Sequence, residues 1–96
     1  MEEIIKDYYG KPLYPGDVVY THHKDYGRLC MIYARNEADS ILAFSTCGEH
    51  TVIKTHRIFK YSLTRKEKRS WFTIRNIKDT TQYKALKPQY KKAILN

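Results

Sequence analysis

The densest run of chemistry-bearing side chains is Arg65-Lys66-Glu67-Lys68-Arg69, followed closely by the only tryptophan, Trp71, with Arg75 and Lys78 further on. Cations neutralise phosphates, and indole or guanidinium planes stack on exposed bases. The run supplies both. It reads as a nucleic-acid contact in which Arg65, Lys66, Lys68 and Arg69 meet phosphates, Trp71 stacks on a base and Arg75 supports it. Lys84, Lys87, Lys91 and Lys92 would extend the electrostatic track through the tail. Trp71 remains open between a surface role and core burial.

Other chemistry is sparse. His22-His23-x-Asp25 and Cys47-x-x-His50 are the only local groups with metal-ligating residues. No Cys-x-x-Cys is present, and a structural zinc site needs two ligand-bearing turns brought together. The expectation is no metal and no cofactor. The four histidines cannot be paired into an acid–base site from sequence, and P-loop, dinucleotide and nucleophile-elbow fingerprints are absent. Nine tyrosines are too many for the core of so short a chain, and their amphipathic rings favour a binding role.

The charge is unevenly placed. Residues 1–60 carry eight basic and eight acidic side chains, whereas residues 61–96 carry ten basic ones against only Glu67 and Asp79. The entire net charge of +8 therefore lies in the last 36 residues. A neutral body with a basic C-terminal third points to a polyanion. The 96 residues suffice for one domain with a small core. No apolar run is long enough to span a membrane, and the acidic start is unlike a signal peptide. A cytoplasmic protein with free Cys30 and Cys47 is expected.

These residues need a scaffold. Residues 6–17 are rich in Gly, Pro and Asp and read as turns. Strands are expected at Asp17–His22, Arg28–Ala34, Ile41–Thr46, His50–Lys54 and Arg57–Leu63, with the second apolar enough for burial on both faces. Short turns between them dictate an antiparallel arrangement, curled into a closed or half-closed barrel. Val19, Leu29, Met31, Leu42, Phe44, Val52 and Ile58 are the expected core. Thr64-Arg-Lys-Glu67 fits a capping box that would start a helix. The aromatic and β-branched density of Ser70–Ile77 instead favours a strand there, with Thr64–Arg69 as a basic hairpin tip or a single helical turn and helix as the competitor. Pro88 suits the first turn of a short helix over about 88–95.

Asp7-x-x-Gly10-Lys-x-Leu-x-x-Gly16-Asp17-Val-Val resembles the opening of YopX-type and KOW-like small barrels of phage and prophage. That resemblance covers about residues 7–60 and implies an SH3-like barrel; with the charge distribution, the expectation is a single domain with the barrel over 7–63 and a basic extension over 64–96. Gly16-Asp17, Arg28 and Thr46 also resemble, in order, the site residues of MazF/PemK-type toxin endoribonucleases. That likeness implies RNA cleavage through Arg28 and Thr46. Arg28 is followed by Leu29 where those enzymes usually carry Pro, and their Gly-Ser-rich loop is missing. The expectation is therefore a mostly β, non-catalytic regulator or inhibitor of phage type that binds nucleic acid, RNA rather than DNA. The alternatives are an inhibitor that occupies the nucleic-acid groove of a host enzyme, and a MazF-like ribonuclease. No membrane partner is expected.

Overall fold

The computed structural model describes residues 5–22 and 27–95, excluding the side chains of His22 and Leu95. The expectations placed on His23 and Asp25 lie outside the described residues. The fold is mostly β. A two-stranded ribbon, β1 (Ile5–Lys6) with β2 (Pro12–Leu13), precedes five strands: β3 (Val18–His22), β4 (Gly27–Glu37), β5 (Ser40–Ser45), β6 (His50–Lys54) and β7 (Ile58–Lys60). A 3-10 turn at Thr55–Arg57 separates the last two.

The five strands form an antiparallel sheet in the order β6-β5-β4-β3-β7. Strands β6 and β7 are its two edges, so the sheet is not closed into a barrel. The register alternates side chains between two cores. On one face Val19, Cys30, Ile32, Ile41, Ala43 and Ile58 pack together under Leu13 of the ribbon, with Ile5 and Ile53 at the margin. On the other face Val18, Met31, Tyr33 and Phe44 pack beneath Phe72, Ile77 and Ile94. Strand β4 is thus buried on both sides, as its apolar run predicted. An irregularity between Ile32 and Ala34 adds one residue to β4 and sends both Tyr33 and Ala34 to the second core. The Tyr33 and Phe44 rings stack there, centroids 4.5 Å apart.

The second face is covered by four short helices: α1 (Arg65–Trp71), α2 (Ile74–Lys78), α3 (Thr81–Lys84) and α4 (Pro88–Leu95). The strand expected at 70–77 is therefore corrected to the end of α1, a two-residue break and α2. As helices the segment turns Phe72 and Ile77 into the second core while satisfying its own backbone groups, so it covers the sheet face without pairing to a strand. The capping box is present in full: Glu67 N–H donates to the Thr64 hydroxyl and Thr64 N–H to the Glu67 carboxylate, each at 3.1 Å. Pro88 opens α4, where its missing N–H costs nothing.

Two glycines let the helical layer close on the sheet. Gly16 has φ 95°, and a Cβ there would lie 2.5 Å from the Ala93 carbonyl oxygen of α4. Gly48 has φ 92°, and a Cβ there would lie 2.7 Å from the Asn76 Cβ of α2. Both positions need a left-handed backbone and no side chain at once.

One core expectation is overturned. Val52 is 52% exposed, because it sits on edge strand β6 on the face that the helices cover. Ile53, its neighbour on the opposite face, packs against the first core. Leu29 and Leu42 are only half-buried, at the margin of the second core.

Candidate nucleic-acid interface

Helix α1 carries no buried residue. Seven residues without an apolar anchor do not hold a helix in water by propensity alone, so other ties must hold it. The capping box fixes its start. Phe72, 3% exposed, follows its end and plugs into the core. Lys68 supplies the third tie. Its Nζ donates to the Gly16 carbonyl at 2.9 Å and the Ala93 carbonyl at 3.2 Å. Burial holds the Lys68 pKa below the ordinary lysine range, with Asp17 opposing that effect and Arg65 adding to it. Lys68 was expected on a phosphate with its neighbours. Instead its ammonium is turned into the protein, linking α1 to the β2–β3 turn and to α4.

The rest of α1 faces outward. Arg65, Lys66 and Arg69 are exposed, and Trp71 is 59% exposed despite its size. That resolves its position to the surface. The remaining cations ride on the same layer. Arg75 and Lys78 are exposed on α2 while Ile77 between them is fully buried. Lys84, Lys87 and Lys92 are exposed. Lys91 is half-buried with its Nζ 5.6 Å from the centre of the Tyr83 ring, a cation–π contact. Each short helix thus pairs an inward anchor or tie with outward positive charge, apart from Lys68. The arrangement suits a polyanion laid across the layer.

The two residues of the ribonuclease expectation lie at the same end of the β4–β5 pair, Arg28 two residues before and Thr46 one residue after the Cys30–Ser45 pairing. Arg28, near the start of β4, is exposed, and its carbonyl accepts from the Thr21 hydroxyl at 3.4 Å. Thr46 lies just beyond β5, in the turn, and its carbonyl accepts the Thr73 N–H at 2.8 Å. That bond ties the turn to the start of α2. Among the described residues no group of three His, Cys, Asp or Glu side chains is placed to hold a metal ion. Nor is any described helix long and apolar enough to cross a membrane. Cys30 is buried and Cys47 exposed, both as free thiols.

The sequence did not single out a second group of exposed rings. Tyr8 and Tyr9 project from the loop between β1 and β2, and each packs against Phe59 of β7 with ring centroids 5.4 Å apart. The adjacent Tyr8-Tyr9 pair inside a turn-rich segment was the available signal. What it lacked was Phe59, at least 50 positions away in sequence.

No protein-family model, no curated protein and no solved structure matches this chain.

Proposed function

We propose that the protein is a non-catalytic, RNA-binding regulator that uses the outer face of its helical layer, built on an SH3-like scaffold. One observation carries the functional reading: Trp71 stands 59% exposed at the end of a basic helix with no buried residue, within the segment that holds all the net charge. An exposed indole at the end of this helix offers a stacking face on the layer that carries the phosphate-neutralising groups. The scaffold reading is supported by β7 returning to pair with β3 and by the 3-10 turn that precedes it.

The experiment is binding to single-stranded and duplex RNA across a salt series. Replacing Arg65, Lys66 and Arg69 with alanine should flatten the slope of log affinity against log salt by up to about three on a duplex. Lys68 is kept, since it holds the fold. Trp71→Ala should weaken single-strand binding by roughly 1–3 kcal/mol with little change of slope, because stacking releases no counterions. A triple variant that stays folded with wild-type slope would reduce the cations to a solvated surface. A wild type that binds no nucleic acid at low salt would move the reading to a protein partner. Metal-independent RNA cleavage abolished by Arg28→Ala and Thr46→Ala would replace it with the ribonuclease.

A further inference from the structure

Exposed Tyr20 and Tyr61 on the sheet and Tyr8 and Tyr9 of the loop gather around half-buried Phe59. Tyr20 of β3 is paired directly with Phe59 of β7, and the Tyr8 and Tyr9 rings stand 5.3 Å apart, both against Phe59. Tyr61 continues the same ladder, its N–H donating to the Val18 carbonyl at 2.9 Å. Strand alternation puts Tyr20, Phe59 and Tyr61 on the face of the sheet that includes Val18, the face the helices cover further along. The strip therefore begins where the helical layer ends. Between them lies a groove of about 210 Å³ bordered by Asp17, Tyr61, Leu63 and Lys68.

The loop that presents Tyr8 and Tyr9 is held rigidly. Asp7, only 6% exposed, accepts the N–H of Tyr9 at 2.9 Å and of Lys11 at 2.8 Å on one oxygen, and that of Lys60 at 2.8 Å on the other. This bonding ties the loop to β7 and turns its one carboxylate inward. Asp17 is ion-paired with Lys60 at 3.8 Å. The exposed charges flanking the two tyrosines in the loop are Lys6 and Lys11, and Arg65 of α1 follows Tyr61 by four residues. Fixed aromatic faces bordered by cations complement the stacked bases and phosphates of a single strand.

We infer that this strip is a second base-stacking surface, and that a single strand held by the basic helices runs across the groove onto Tyr61, Tyr20, Phe59, Tyr8 and Tyr9. The inference rests on the nucleic-acid reading above and names its ligand as single-stranded rather than duplex. The test compares wild type with Tyr8→Ala/Tyr9→Ala on a single-stranded RNA of about twelve nucleotides, within the span of known single-strand sites, and on a duplex of the same sequence. The double variant should bind the single strand roughly five- to a hundredfold more weakly, with its salt slope and its duplex binding unchanged. Tyr8→Phe/Tyr9→Phe should restore wild-type affinity, because the ring face is kept. Should the double alanine variant unfold, Tyr9→Ala alone is expected to show the same selective loss at smaller size. Unchanged single-strand affinity in a folded alanine variant overturns this inference and leaves the helical site standing. Equal losses on single strand and duplex overturn it as well, since stacking needs free bases. A wild type that binds neither RNA removes both readings together.

Discussion

On one face of the sheet, Val19, Cys30, Ile32, Ile41, Ala43 and Ile58 are covered by strand and ribbon residues drawn wholly from the neutral part of the chain. On the other, Val18, Met31, Tyr33 and Phe44 depend on Phe72, Ile77 and Ile94 from the basic part. The first core is closed by long-range strand pairing. The second is closed by four short helices, each with few apolar contacts and none long enough to persist alone. The difference explains how charge is mounted on this molecule. The charged helices α2 and α4 are anchored on the apolar floor through Ile77 and Ile94, whereas α1 is held by its cap, by Phe72 beyond its end and by Lys68.

The comparison breaks if the helical layer is a loosely attached extension. Phe44→Ala and Phe72→Ala should each cost about 3–5 kcal/mol by denaturant unfolding, as large as a core deletion on the first face such as Ile41→Ala. A small loss at Phe72 together with a large one at Ile41 would show that the sheet stands without its helices.

Alkaline titration separates the two cores chemically. Burial pushes the Cys30 thiol from its ordinary 9.0 up to about 11 in the first core, Arg28 opposing the rise. It pushes the Tyr33 phenol from 10.0 up to about 12 in the second. Both groups are held neutral, so their folded values lie above their unfolded ones. The Cys30 contribution is intact below about pH 9 and is lost as pH climbs through about 11. Two pKa units make this on the order of 2–3 kcal/mol. Cys30→Val should remove that step from a stability-versus-pH curve and leave the later Tyr33 loss. An unchanged curve would mean the thiol does not report on the first core.

The junction between the layers is tested by Gly16→Ala and Gly48→Ala. Each adds a Cβ where the helical layer closes and forces a non-glycine residue into a left-handed backbone, at an expected cost of about 1–3 kcal/mol by thermal or chemical unfolding. Stability unchanged at both would show that the layers are not in close contact. The smallest effects mark where burial stops. Val52→Ala and Trp71→Ala should each change stability by no more than about 0.5 kcal/mol, despite the size of the residues removed. A larger cost at Trp71 would return that indole to the core.

By itself, the sequence determined the features that are local. Alternation and turn residues located all five strands of the main sheet to within a few residues, since the period of two and the short loops are properties of adjacent positions. Thr64 with Glu67, and Pro88, marked the starts of α1 and α4, because a cap is made within one helical turn. The concentration of charge after residue 60 was also plain. Tertiary structure alone decided the rest. Whether Ser70–Ile77 is strand or helix turned on the second sheet face offering an apolar floor to Phe72 and Ile77. That β6 and β7 end as two separate edges is a property of the whole sheet, which no local pattern encodes. Lys68 and Lys66 look alike in sequence. Only the approach of Gly16 and Ala93 turned Lys68 inward, and only the return of β7 brought Phe59 beneath Tyr8 and Tyr9. Such contacts join residues far apart in the chain, so their chemistry exists only once the backbone has closed around them.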